Sequence, residues 1–425
     1  MKKLHYFVFL LFIFFILIKY SNSNSNSNYK MKLFKEFTEP YNNNNSYKIL
    51  FKNIKYFNNY FYRNIPRKSY SESNITFEIY NDTAYVEWPY SYNDNKNFSD
   101  CRKFISIISF EFDEENNIYL LDEGTSNCPI KIIIFNSTGD FLDLYTIYNK
   151  TNQNINLTNF IIDKINNFFY IPFTNSSGDE YEVGIIIREI GENGDRKIIT
   201  LNNTKYLFEE KYTNYADIFK QYNISDKILD QKILINIALS CDAEYLLISS
   251  LSSRMIYSIS TEQLRESEEK KTIDIKKAYK NDISSALISS NLGNLYLTGL
   301  EKNLIYRAGQ IDYDLSIFDF KILDEINNNN NIHEFPTDLS IINGTLFIKY
   351  INIFENETNL AFIQTKIYNI SIDKEESYIF KCGGLIYKWD WKAYIIWGFF
   401  FIIFCLIIAF VYIGNQQDID INKNK

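Results

Sequence analysis

The stretch Ile235-Asn236-Ile237-Ala238-Leu239-Ser240-Cys241-Asp242-Ala243-Glu244-Tyr245-Leu246-Leu247-Ile248-Ser249 decides the fold. Two apolar runs of strand length flank a short polar turn, Cys241–Glu244. The unit recurs along the chain. It reads as Ile75–Trp88 about Asn81-Asp82, Ile107–Leu121 about Asp113–Asn117, and Phe160–Pro172 about Asp163–Asn167. It returns as Ala286–Thr298 about Asn291–Asn294 and Leu339–Lys349 about Asn343-Gly344. The residues that open each second strand are Tyr85, Tyr119, Tyr170, Leu246, Tyr296 and Phe347, at intervals of 34, 51, 76, 50 and 51. An all-strand repeat near 50 residues is the spacing of propeller blades. The longest interval holds a polar insertion, Thr174–Asp230. Six copies predict an all-β, six-bladed β-propeller over residues 75–385. Blades cover one another on both faces, which accounts for apolar residues on both sides of the strands.

The flanks predict a membrane-anchored ectodomain. Met1-Lys2-Lys3 precedes the apolar run Leu4–Ile18, a signal-peptide pattern too short for a span. Residues 1–20 are read as the signal peptide and 21–74 as an Asn/Ser-rich linker and N-terminal segment. Ala393–Ile413 carries no charge and is long enough to cross a bilayer as a helix. Trp389, Trp391, Tyr394 and Tyr412 sit at its edges as interfacial aromatics do. Residues 386–392 are then juxtamembrane, and 414–425 form a cytoplasmic tail. The expected topology is single-pass type I, at the cell surface or an endomembrane, with the propeller outside the cytosol.

Composition agrees with that compartment. The chain holds about thirteen Asn-X-Ser/Thr sequons, among them Asn74, Asn81, Asn97, Asn136, Asn156, Asn175, Asn223, Asn343, Asn356 and Asn369. An Asn-rich chain generates about half of these by chance. Cys405 falls in the span, and Cys101, Cys128, Cys241 and Cys382 are left in the ectodomain. An even number there suggests two disulfides, whose connectivity spacing does not set. The net charge of −8, with Lys and Arg scattered, argues against a nucleic-acid partner. Thr261–Lys277 is charged and fits either a short surface helix or a loop.

The run Tyr245–Arg265, with Leu251-Ser252-Ser253-Arg254-Met255-Ile256-Tyr257 at its centre, resembles the hallmark blade of the major royal jelly/yellow family. Tyr85-Val86-Glu87-Trp88-Pro89, Asp100-Cys101, Ile118–Gly124, Cys128–Ile132, Asn294–Leu300 and Phe335–Ser340 resemble other family segments in the same order. The resemblance covers roughly Ile75–Phe380. It implies a six-bladed propeller and a Cys101–Cys128 disulfide, leaving Cys241 and Cys382 as the remaining pair. It also implies a small-amine site that would draw on Phe335, Thr337 and Asp338. There the usual Pro-Asp-Thr order is changed to Pro336-Thr337-Asp338, and the usual Thr-Ser-Asn-Arg strand end reads Lys349-Tyr350-Ile351-Asn352.

Catalytic signals are sparse. The two histidines are His5, in the signal peptide, and His333, in an Asn-rich loop. That pattern leaves no triad unless His333 serves in it, and no His-rich zinc site. Asp122 and Glu123 end a strand where carboxylates could meet a hard cation, although turn capping before Gly124 explains them as well. No cofactor is expected. The reading is a non-enzymatic propeller that binds a small molecule or an extracellular protein. The alternative is an enzyme acting on catechol- or dopachrome-type or lactone substrates in the pore.

Overall fold

The computed structural model describes residues 31–40, 53–66, 76–80, 85–93, 100–148, 155–177, 180–191, 194–201, 235–251, 253–266, 273–279, 282–308, 320–325, 334–355 and 361–372. They form an all-β, six-bladed propeller in which every strand pairing is antiparallel. From axis to rim, blade 1 is β2 (Ile54–Phe57), β3 (Tyr60–Asn64), β4 (Phe77–Tyr80) and β5 (Tyr85–Glu87), followed by the single turn α1 (Tyr90–Asn93). Blade 2 is β6 (Ile107–Phe112), β7 (Ile118–Asp122), β8 (Ile130–Phe135) and β9 (Phe141–Tyr148). Blade 3 splits its inner strand into β10 (Ile155–Leu157) and β11 (Ile161–Asp163), both paired to β12 (Phe168–Ser177), with β13 (Glu180–Glu189) and β14 (Arg196–Thr200) outside.

Blade 4 is β15 (Ile235–Leu239), β16 (Tyr245–Ser250), β17 (Met255–Ser260) and β18 (Ile275–Tyr279), with the short helix α2 (Thr261–Glu266) between its outer strands. Blade 5 is β19 (Leu287–Ser289), β20 (Leu295–Gly299), β21 (Leu304–Ala308) and β22 (Phe320–Glu325). Blade 6 takes β23 (Phe335–Ile342), β24 (Thr345–Glu355) and β25 (Ala361–Ser371) from the end of the chain, and its outer strand, β1 (Lys32–Pro40), from the beginning.

Burial follows strand position. β6, β7 and β8 are buried at every residue, whereas the outer strand β9 alternates. The apolar clusters lie between blades. Ile133 and Phe135 pack with Tyr62 and Phe77 at the 1/2 seam, Tyr119 with Phe169 at 2/3, and Ile185 with Ile237 at 3/4. Leu247 meets Leu295 at 4/5 and Tyr296 meets Ile348 at 5/6. The closing 6/1 seam is small and aromatic. Ile54, Phe61, Phe347 and Ile367 form its buried part, and Phe34 of β1 packs on Tyr56, Phe61 and Phe347 with ring centroids 5.3–5.7 Å apart.

Two expectations are corrected. The propeller begins before residue 75, because β1, β2 and β3 lie in the segment read as a linker. Ile75–Trp88 is also not an inner hairpin: it supplies the third and fourth strands of blade 1, whereas the other five units supply first and second strands. The 34-residue interval was therefore measured across two different positions in the blade. Part of the insertion Thr174–Asp230 is β13 and β14, and residues 202–234 lie outside the described set. Thr261–Lys277 holds both the short helix and the start of β18.

Among the described residues no helix is long and apolar enough to cross a membrane. The expected signal peptide (1–20) and span (393–413) both lie outside those residues.

Candidate functional site

All six inner strands converge on one axial cavity of about 70 Å³. At ~10–15 Å³ per water, that volume takes about five waters or a small organic molecule. Its lining is two-sided. Blades 6, 1 and 2 present Asp338, Asn53, Lys55, Ser109 and Glu111, whereas blades 3 to 5 present mainly Phe160, Ile161, Ile237, Ala238 and Leu287. Thr158, Asn159, Asn236 and Ser285 are polar residues on that same side; Thr158 Oγ1 donates to the Ile235 carbonyl and Asn236 Nδ2 to the Ser285 carbonyl, both at 2.7 Å.

The charges sit where water is scarce. Lys55 Nζ and Glu111 Oε1 are 2.5 Å apart across the 1/2 seam, and both residues are buried. Lys55 also lies over the Phe110 ring, 5.5 Å from its centroid. Asp338 faces this pair from blade 6. Its Oδ1 accepts from the Leu339 N–H at 2.9 Å and the Ile54 N–H also acts on the carboxyl group, while its enclosed Oδ2 makes no hydrogen bond of good geometry among the described residues. Burial pushes the Asp338 carboxyl above the usual carboxylate range, and it prevails over the opposing fields of Lys55 and Lys349. Lys349 is buried and stands directly across from Asp338 in the β23–β24 register.

Backbone irregularities shape this wall. The β23–β24 register slips between Pro336 and Asp338, so Thr337 is the extra residue of a bulge. A second slip, between Ile107 and Ser109, lies in β6. Bulges re-aim side chains beside functional sites, and both of these flank cavity-lining residues.

Of the residues that the resemblance pointed to, Thr337 and Asp338 line the cavity and Phe335 opens β23. Thr337 Oγ1 donates to the Lys349 carbonyl at 3.5 Å. Lys55 and Glu111 escaped the sequence reading. Glu111 carries a visible signal, a lone carboxylate inside the buried run Ile107–Phe112. Lys55 lay in the segment taken for linker.

Asp122 and Glu123 stand apart from the cavity lining. Asp122 is fully buried and accepts the N–H groups of Ile105, Ser106 and Gly124 at 2.7, 3.1 and 3.0 Å. Its Oδ2 lies 3.1 Å from Lys131 Nζ, which is equally buried. Those oxygens organise the start of β6 and the Gly124 turn, in line with the capping role. The Glu123 N–H donates to the Ser106 carbonyl at 3.0 Å. Among the described residues no three His, Cys, Asp or Glu side chains gather as metal ligands.

Cys101 and Cys128 form the disulfide that the resemblance implied. Cys241 is also disulfide-bonded; Cys382, its expected partner, lies outside the described residues, as do His5 and His333. Of the sequons, Asn136 lies in the β8–β9 turn, Asn156 in β10, Asn175 in β12, Asn343 in the β23–β24 turn and Asn369 in β25. Asn74, Asn81, Asn97, Asn223 and Asn356 lie outside the described residues.

At the rim where inner hairpins turn, neighbouring blades are cross-linked by a repeated polar device. Tyr119 donates to Asp113 at 2.9 Å, and Lys164 of blade 3 reaches the same carboxylate at 2.9 Å and the Tyr119 hydroxyl at 2.6 Å. One blade on, Tyr170 donates to Asp163 at 3.4 Å, and Arg265 meets that carboxylate at 3.6 Å and the Tyr170 hydroxyl at 3.1 Å. Burial favours the neutral Asp113, but the bonds from Lys164 and Asn117 outweigh it and hold the carboxyl below its usual range. At Asp163 burial prevails over its partners and the shift is upward.

No protein-family model matches the chain, and no curated protein matches it. Solved structures do. A luciferin-regenerating enzyme aligns over 81% of this chain and 99% of its own, at 10% identity and a TM-score of 0.46. A putative 6-phosphogluconolactonase from Bacteroides uniformis aligns over 71% and 76%, at 12% identity and a TM-score of 0.36. Hydrazine synthase from Kuenenia stuttgartiensis aligns over 58% and 67%, at 9% identity and a TM-score of 0.39. These likenesses are too distant to speak for activity.

Proposed function

We propose that this chain is a yellow-like propeller that binds a small molecule in its axial cavity without transforming it, and that it is displayed outside the cytosol by a C-terminal span. One observation carries the binding reading: a partly open axial cavity reached by all six blades, with the Asp338 Oδ2 lacking a well-formed hydrogen bond among the described residues in its wall. Buried polar atoms in folded proteins nearly always find a partner, and an exception in a cavity points to a ligand group. The Lys55–Glu111 pair balances its own charge, so these side chains suit recognition better than proton transfer to a substrate. The apolar run 393–413 and the sequons support the membrane and compartment part of the reading.

The test is a thermal-shift screen of small polar and amphipathic compounds on the full-length chain, with mass spectrometry of each recovered hit. A shift that returns the compound unchanged, and that Asn53→Phe removes by filling the cavity, supports binding. Steady conversion of a hit to product would refute the non-enzymatic reading and favour the enzyme alternative.

A further inference from the structure

Exposed apolar side chains are unevenly placed on the ring. Eight large ones are exposed among the described residues, and seven of them, each 41–52% exposed, lie at the end where the inner hairpins turn. Leu33 and Phe34 lie near the start of β1, Tyr60 opens β3, and Val86 is the second residue of β5. Phe141 and Leu142 open β9, and Ile165 sits in the β11–β12 turn. The eighth, Ile322, is within β22, and none lies at the opposite end. The seven belong to blades 6, 1, 2 and 3, which are consecutive in the ring. Single apolar residues on a surface are ordinary, but an arc of them confined to one end marks an interaction face.

The course of the chain indicates what covers this arc, given the membrane-anchored reading proposed above. β25 finishes at the same end, where the Ile372 N–H donates to the Gly344 carbonyl at 2.8 Å. Twenty residues, 373–392, then precede the apolar run 393–413. Cys241, in the β15–β16 turn, is disulfide-bonded at this end too. Its expected bond to Cys382 would shorten the tether to ten residues, 383–392, a reach of at most about 35 Å. Exposed Glu114, Glu115 and Glu244 share the face, which suits neutral headgroups rather than an anionic leaflet. Aromatic and aliphatic side chains of this kind settle into the interfacial layer of a bilayer.

We propose that the inner-turn end of blades 6, 1, 2 and 3 rests on the bilayer that anchors the chain, with the Cys101–Cys128 loop turned away from it. Two sequons in turns at that end, Asn136 and Asn343, are then left without glycans.

For the test, the full-length chain is inserted into phosphatidylcholine vesicles with p-benzoylphenylalanine in place of Phe141. A control carries it in place of Ser126, exposed in the β7–β8 turn at the opposite end. Flotation reports anchoring, and mass spectrometry after illumination reports what each position touches. Both chains are expected to float, with lipid adducts at 141 and none at 126. With the probe in place of Ile165 instead, Phe141→Asp combined with Leu142→Asp should abolish its lipid adducts while flotation persists; melting curves confirm the fold. Glycopeptide mapping should find Asn136 and Asn343 bare. Failure to float overturns the anchored reading and this proposal with it. Flotation without lipid adducts at 141, or with equal adducts at 126, overturns this proposal alone, as does a glycan on Asn136. Adducts joining two chains at 141 overturn it in favour of a second copy on the arc.

Discussion

Asp122 and Lys131 form a buried ion pair whose two halves are unequally supported, and their truncation should cost unequal amounts. Both side chains are essentially inaccessible and their charged atoms are 3.1 Å apart. Asp122→Ala leaves Lys131 as an uncompensated buried cation, which alone costs about 3–5 kcal/mol. It also strands three backbone donors, Ile105, Ser106 and Gly124, at about 1 kcal/mol or more each where water does not reach them. Water entering the space left by the side chain offsets part of the sum, so a net loss of about 5 kcal/mol is expected. Lys131→Met removes the cation but leaves the Asp122 oxygens with their three N–H donors. The Met side chain fills the stem's volume, and about 2 kcal/mol is expected. At about 2 °C per kcal/mol for a domain of this size, the melting points should fall by about 10 °C and about 4 °C. Thermal melts and urea titrations of the two variants measure the difference. Equal losses, or a larger loss for Lys131→Met, would refute the claim that the carboxylate organises this corner.

Three other outcomes follow from the same geometry. Lys164→Met should cost about 1 kcal/mol at neutral pH, since the lysine is partly exposed. Asp113 is held below its ordinary value, so its contribution is present above the unfolded carboxylate pKa and is lost as pH falls through the lower folded value; wild type and variant should converge in acid melts. Replacing Cys101 and Cys128 by Ser opens a loop with a sequence separation of 27, which a chain-entropy estimate puts at about 3.5 kcal/mol, readable as a lower urea midpoint. Deleting residues 31–40 removes β1, exposes the β25 edge and strips Phe34 and Phe37 from the 6/1 seam; size-exclusion chromatography should show self-association through that edge.

The ring was legible because its inner hairpins repeat with little variation. Apolar residues on both faces of Ile107–Leu121 and Ile235–Ser249 announced strands covered on both sides, and the structure buries almost all of them. The start of the ring was less legible. β2 and β3 are short, Ile54–Phe57 and Tyr60–Asn64, and lie next to Asn-rich sequence. β1 pairs across nearly the whole length of the chain, which no local pattern reports. At the site, Asp338 could be named only through resemblance. Its placement depends on the bulge at Thr337, a property of the register rather than of the residue. Lys55 and Glu111 lie 56 positions apart and become partners only once blades 1 and 2 are set side by side.

The pairing of β1 with β25 also sets a timetable. Thr38 aligns with Gln364 and Pro40 with Phe362, so the first described strand meets its neighbour only after the five blades between them have been made. Blades 2 to 5 close through contacts local in sequence and can assemble as they emerge. Closing β1 onto β25 is the pairing of longest sequence separation among the described strands, the kind of contact that loop-closure entropy makes slow to form. Among the described strands, residues 32–40 are therefore the ones a folding helper would have to shield for longest.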